Sequence, residues 1–290
     1  MIKRTLILIS LFSSLPLGLL AQENLQTYTP SILFDRGEWE FKSFQNLYTQ
    51  TKAFGERPLN KEPINGGRQT YFTSINQFLY GVNDQLNLGL DVWVKQVNYE
   101  DENLNNRTAI TGFGPKIKIA PFKNLKRLSI QSTFLWPLEQ DLEAPLPDEG
   151  GPYPFLETDK SLWLTQFYYD KPISNKLQLF FQQAFWMNFV RDSFRENNFL
   201  QTQTSGFLSY FPTTRWTLYG MVEYFPTHYN DQGQSFEAFN NYFVQSGLGA
   251  KYQLMPQFVE LELLYTSFWA GSEGAGAGNT FNLGIRLIRQ

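Results

Sequence analysis

Polar and apolar positions alternate with a period of two along most of the chain. The clearest case is NNYFVQSGLGAKYQLMPQFVELELLYTSFW, residues 240–269. Every second residue from Tyr242 gives Tyr242, Val244, Ser246, Leu248, Ala250 and Tyr252, and the intervening set is Asn241, Phe243, Gln245, Gly247, Gly249 and Lys251. After a break at Met255-Pro256-Gln257, Val259, Leu261, Leu263, Tyr265, Ser267 and Trp269 alternate with Glu260, Glu262 and Leu264. Successive side chains of a strand point to opposite faces, so each run has one apolar and one mostly polar face. A strand rises roughly 3.3 Å per residue, so ten residues tilted by about 40° cover about 25 Å of membrane normal. Aromatic residues at the ends of such a run suit the two water interfaces. The pair reads as two neighbouring strands of a transmembrane barrel.

The same rule organises the rest. Glu38–Thr51 alternates weakly, with Trp39, Phe41 and Leu47 against Glu40, Lys42 and Asn46, and residues 52–67 read as a long loop. Gln69–Gly81 is a strand, turned at Val82-Asn83-Asp84-Gln85 into Leu86, Leu88, Leu90, Val92 and Val94, whose opposite face carries Asn87, Gly89, Asp91, Trp93 and Lys95. Asn and Asp tolerate turn dihedrals, which makes this connection a hairpin. Further strands are expected at Thr108–Pro121, Leu128–Trp136, Leu162–Tyr169, Leu177–Val190, Phe199–Phe211, Trp216–Tyr224 and Phe281–Leu287. Residues 122–126 and 170–175 read as short turns, and residues 138–160, 191–198 and 227–238 as loops. Long and short connections then alternate, as a barrel with short periplasmic turns and longer extracellular loops requires. The expected fold is all-β: a closed, antiparallel, up-and-down transmembrane barrel of twelve strands spanning 38–290, with both termini in the periplasm.

On this reading, Leu86, Leu88, Leu90, Val92, Leu261 and Leu263 face lipid. Trp136, Trp216, Tyr224, Tyr242, Tyr252 and Trp269 form an aromatic girdle. Glu40, Lys42, Asp91, Lys95, Lys116, Glu223, Glu260, Glu262 and Arg286 face the lumen, because a charge on the lipid face at the midplane is costly. Those charges either cross-pair and plug a narrow barrel or line a water-filled path and set its ion preference. Their near balance predicts weak selectivity. Inward Trp93, Trp186 and Phe243 predict a constricted lumen, and twelve strands lie between barrels filled by side chains and those leaving a channel.

Composition fits this picture. No run of 18 or more apolar residues follows Leu20, so no spanning helix is expected, while 17% of residues are aromatic. The chain opens MIKRTLILISLFSSLPLGLLAQ, with Lys3 and Arg4 before an apolar core from Leu6 to Leu20. This predicts a signal peptide at residues 1–21, cut after Ala21, and a periplasmic segment at 22–37. There is no cysteine, so neither a lipoprotein anchor nor disulfides are expected. A net charge of -3 without charge runs gives no reason to expect a nucleic-acid partner.

Candidate chemistry is sparse. His228 is the sole histidine, in PTHYNDQ at the outer end of a strand. A rim-located lipid hydrolase would need a serine beside it; Asn230 stands two places on and Ser235 farther, so a solvated loop histidine is the expectation and no catalytic residue is assigned. Glu139, Asp141, Glu143, Asp148 and Glu149 lack calcium-loop spacing and read as a solvated loop, so no metal site is assigned. The run AGSEGAGAG at 270–278 lacks Gly-Lys-Ser/Thr and precedes a strand, so it is not a phosphate cradle. No cofactor is expected.

With strands, signal and topology in place, the chain resembles bacterial outer-membrane β-barrels. In size it is similar to the twelve-stranded class, which includes nucleoside and acidic-sugar channels, a phospholipase and a translocator. The stretch LQTYTPSILFDRGEWEFKSFQNLYTQT, Leu25 to Thr51, resembles the start of transporter-like barrels from Bacteroidota. The chain departs from the common barrel signal in ending Leu287-Ile288-Arg289-Gln290 without a terminal Phe. The resemblance implies a bacterial outer-membrane location, with membrane lipid and the barrel-assembly machinery as partners. It further implies a channel passively conducting small polar solutes. The alternatives are a closed barrel that binds a partner through its long loops and a lipid hydrolase at the rim.

Overall fold

The computed structural model describes residues 31–102, 104–125, 127–139, 156, 158, 160–190, 198–229 and 237–289. The strands are β1 (Trp39–Gln50), β2 (Lys52–Phe54), β3 (Lys61–Pro63), β4 (Gln69–Asn83), β5 (Leu86–Tyr99), β6 (Arg107–Ile119) and β7 (Leu128–Leu135). They continue as β8 (Lys160–Ser174), β9 (Leu177–Val190), β10 (Phe199–Tyr210), β11 (Trp216–Tyr229), β12 (Glu237–Met255), β13 (Val259–Gly271) and β14 (Asn279–Arg289). All but β2 and β3 form one closed barrel of twelve antiparallel strands, in which β1 pairs with both β4 and β14. The seam is in register from Trp39↔Arg289 to Thr49↔Asn279.

Turn chemistry places the hairpins. Asn83 Oδ1 accepts the backbone N–H of Gln85 at 2.9 Å, and Thr213 Oγ1 accepts those of Arg215 and Trp216 at 3.3 and 3.2 Å. Gln257 adopts φ 64° in the turn between β12 and β13, where Phe258 N–H donates to the Met255 carbonyl at 3.0 Å. These turns share one end of the barrel with the start of β1 and the end of β14 (the turn end); the other connections lie at the loop end.

Several local expectations are corrected. Residues 170–175 are not a turn: β8 runs through Ser174, because Asp170 and Pro172 pair with Phe180 and Gln178. The region 52–67 is not featureless, since β2 and β3 make a hairpin of their own. The connection of residues 120–127 matches the loops in length, so alternation in length is not strict even though strand order is.

Register and exposure define the outer surface. Leu88 and Leu90 are 47% exposed and Leu263 60%, while Leu86 and Val92 on β5 and Leu261 on β13 flank them on the same face, half-buried. Rings frame this belt at two levels. Trp216 meets Tyr252 at 4.7 Å toward the turn end, and Tyr224 meets Tyr242 at 5.8 Å toward the loop end, where exposed Trp136 and Trp269 also stand. Trp269 keeps the outward parity of Leu261, Leu263 and Tyr265 and sits at a bulge between the Val244↔Ala270 and Gln245↔Phe268 pairs. A belt of exposed hydrocarbon this extensive suits a lipid solvent.

One part of the belt is polar. Ser43 Oγ donates to Asn76 Oδ1 at 2.7 Å, Gln45 Nε2 to Ser43 Oγ at 2.9 Å, and Asn76 Nδ2 to Ser74 Oγ at 3.0 Å. These four share the outer face of β1 and β4 and satisfy one another. That explains the weak alternation of β1.

Candidate solute path through the lumen

From the turn end inward, the first layer is a strap formed by residues 31–37. Ser31 hydrogen-bonds Asp170, Lys118 Nζ donates to the Ile32 carbonyl at 2.5 Å, and Phe34 is buried against Leu79 and Ile288. The strap turns into β1 by exchanging backbone hydrogen bonds with Gly81, from Gly37 N–H at 3.0 Å and to Glu38 carbonyl at 2.8 Å. A Cβ at Gly81 would sit 2.0 Å from the Asp35 carbonyl oxygen, so only glycine admits the strap here. The segment expected simply as periplasmic therefore ends, over its described residues, inside the barrel mouth.

Above the strap lies a layer of ion pairs. Arg286 Nε donates to Glu40, and Arg286 Nη1 stands 3.8 Å from Glu260. Lys116 pairs with Asp91, and Lys251 lies 3.6 Å from Glu262, whose Oε1 also accepts from Tyr219 OH at 2.6 Å. Lys42 and Glu223 line the cavity beyond, and Lys95 is buried on the inner face of β5 nearer the loop end. Glu40, Lys42, Asp91, Lys95, Lys116, Glu223, Glu260, Glu262 and Arg286 thus all occupy inward positions.

Lys118, Asp170, Lys251 and, beside Trp93 and Trp186, Lys160 also face inward and were not singled out from sequence. Lys118 follows Lys116 by two residues and Lys251 stands in the polar set of the opening hairpin, so period two could have assigned both. Asp170 was hidden by the turn-like DKPISN.

Next comes a cavity of about 440 Å³. Its wall includes Phe44, Tyr168, Phe180, Phe207, Trp186 and Tyr219, together with the amides of Asn46, Gln77, Gln131, Gln166, Gln182, Gln203, Gln245 and Asn282. The rings of Tyr168, Phe180, Phe207 and Tyr219 run side by side across β8–β11, with centroids 5.3–6.1 Å apart. The amides bond one another, as in Asn46 Nδ2 to Asn282 Oδ1 at 2.6 Å and Gln131 Nε2 to Gln166 Oε1 at 3.0 Å.

Toward the loop end a collar of rings lines the interior. Tyr99, Tyr71, Tyr48, Phe268, Phe243, Phe225, Trp186 and Trp93 make consecutive ring contacts, with centroids 4.7–6.4 Å apart. Trp93 and Trp186 belong to strands that are not hydrogen-bonded neighbours, so they meet across the interior. Leu135, Leu162, Leu164 and Ala184 pack beside them. Over the collar, the β2–β3 hairpin is tied to residues 271–277: Phe54 N–H donates to Ala275 carbonyl at 2.8 Å and Gly274 N–H to Phe54 carbonyl at 2.8 Å. Lys61 Nζ reaches the Phe268 carbonyl at 2.5 Å.

His228 is not a solvated loop residue. It lies in β11 on the outer face, 5% exposed, with Nε2 3.2 Å from Thr202 Oγ1 on β10. The hydroxyl beside it is a threonine, and Asn230 and Ser235 lie outside the described residues. So do residues 1–30, with the expected signal peptide, and Asp141, Glu143, Asp148 and Glu149 of the acidic loop.

No protein-family model and no curated protein sequence matches the chain. Among solved structures, an outer membrane channel from Pseudomonas putida F1 superposes with a TM-score of 0.68 at 12% identity, covering 90% of this chain and 98% of that one. The translocator domain of autotransporter NalP from Neisseria meningitidis gives a TM-score of 0.50 at 9% identity, covering 88% and 89%. The chain therefore has the closed twelve-stranded fold of bacterial outer-membrane barrels. At these identities the likeness is one of fold.

Proposed function

We propose that the chain is a passive outer-membrane channel for small polar solutes with weak ion selectivity. The observation that carries the reading is a cavity lined by amides, charged groups and rings inside a barrel with a lipid-suited exterior. The inward charges of the barrel support the weak selectivity: Glu40, Asp91, Asp170, Glu223, Glu260 and Glu262 are nearly balanced by Lys42, Lys95, Lys116, Lys118, Lys160, Lys251 and Arg286. A pore lined by one sign would instead discriminate strongly. We read residues 1–21 as the export signal, the turn end as periplasmic and the loop end as extracellular. Insertion would depend on the barrel-assembly machinery. The likeness of Leu25–Thr51 to transporter-like barrels of Bacteroidota suggests that group as the source.

Planar-bilayer recording tests the proposal. Purified protein should give discrete conductance steps, and Lys95→Glu and Glu262→Lys should move the reversal potential in opposite directions. Absence of steps would favour the second reading, a closed barrel using its loops to bind a partner. The strap at one mouth and the hairpin at the other are the features that support that alternative.

A further inference from the structure

Glu223 differs from Glu40, Asp91, Glu260 and Glu262, the carboxylates of the ion-pair layer. Glu40, Asp91, Glu260 and Glu262 each have a lysine or arginine nitrogen within 4 Å. Glu223 is 6% exposed, lines the cavity, and among the described residues has only neutral donors: Gln203 Nε2 at 2.5 Å, Ser205 Oγ at 2.9 Å and Gln245 Nε2 at 2.6 Å. Both amides are held in that sense by further bonds. Gln203 Oε1 accepts from Trp186 Nε1 at 3.3 Å, and Gln245 Oε1 accepts from Thr266 Oγ1 at 2.6 Å. Neutral donors orient a carboxylate and offset part of its desolvation, but they leave its negative charge in place.

Aromatic side chains share the cavity wall with this carboxylate. Trp186 and Phe207 line the same cavity, and Trp186 is backed by Phe225 at 5.9 Å, itself stacked on Phe243 at 5.1 Å. A fixed anion among aromatic faces, with water partly excluded, is the environment that binds an ammonium group, which gains both Coulomb attraction and interaction with the ring quadrupoles. The cavity of about 440 Å³ leaves room for a small organic molecule.

We infer that the lumen cavity is a binding site for solutes carrying an ammonium group, with Glu223 as the counter-charge and Trp186 and Phe207 as ring partners. The inference rests on the channel reading for its biological sense, but the site is defined by the folded barrel alone. Equilibrium binding to the purified full barrel in detergent, read by tryptophan fluorescence and calorimetry, therefore tests it without conductance. Choline should bind at least about tenfold more tightly than its uncharged isostere, in which carbon replaces nitrogen. Glu223→Gln should abolish that preference. Phe207→Leu, which keeps apolar bulk, should weaken choline and not the isostere. Equal binding of the two probes to the wild-type barrel overturns the inference whatever the variants do, as does a Glu223→Gln barrel that retains the preference. A barrel that shows conductance steps but no choline preference refutes this site and leaves the channel reading standing.

Discussion

Lys116 Nζ lies 2.6 Å from Asp91 Oδ1 inside the barrel, with both side chains 1% exposed. The two are diagonal neighbours on β5 and β6: Asp91 is paired with Gly114 and Lys116 with Gly89, so each long side chain faces a glycine and leans toward the other. Gln77 Nε2 adds a bond to Asp91 Oδ2 at 3.0 Å. Removing one partner of such a pair strands a buried charge. Lys116→Met is expected to destabilise the barrel by about 3–5 kcal/mol, and adding Asp91→Leu to recover most of that loss. Urea unfolding from lipid vesicles measures both, and a double variant as unstable as the single one would contradict the argument.

The outer belt makes a separate claim about solvent. Leu263 stands well exposed on β13 between Leu261 and Tyr265. Leu263→Arg should cost about 2–4 kcal/mol in the same unfolding assay, the range for Arg near the bilayer midplane. A neutral effect would mean that this face does not meet hydrocarbon.

At the loop end, Gly271 and Phe54 are in close contact. Phe54 is 2% exposed, and a Cβ on Gly271 would fall 2.4 Å from its ring. Gly271→Val should expel the ring and release the β2–β3 hairpin. Limited proteolysis of the barrel in vesicles should then cut within residues 51–68 faster than in the wild type, and an unchanged digestion rate would show that the hairpin is held by other means.

The strap gives the converse test at the turn end. Phe34→Ser removes the apolar anchor against Leu79 and Ile288 and should loosen residues 31–37 across the mouth. Unitary conductance in planar bilayers should rise by at least about twofold, because the narrowest layer sets the current. Conductance equal to wild type would place the constriction elsewhere, and the aromatic collar would be the next layer to test.

Much of the barrel was legible because its strands must solve one problem repeatedly. Along β9, Leu177, Leu179, Phe181, Phe185, Met187 and Phe189 face one way, and that repetition marks the element from end to end. Asp170 and Pro172 misled because their turn chemistry is local, whereas their pairing with β9 is decided by a neighbouring strand. The inner layers were harder to read for a different reason. Trp93, Trp186 and Phe243 announce bulk, but alternation assigns a face and not a partner. Nothing in period two says that a residue on β5 will meet one on β9 across the interior. Ser31 and Phe34 belong to no periodic element, and their burial depends on Asp170, Leu79 and Ile288, far away in sequence.

The seam between β1 and β14 joins residues as distant as Trp39 and Arg289. Until the final strand arrives, the first keeps a row of unanswered amides and carbonyls along one edge, a condition that hydrocarbon punishes heavily. Insertion and closure must then be coupled late events in biogenesis, slowed by the long loop to be shut. A chain stopped one strand short would be an adhesive ribbon rather than a slightly smaller cylinder.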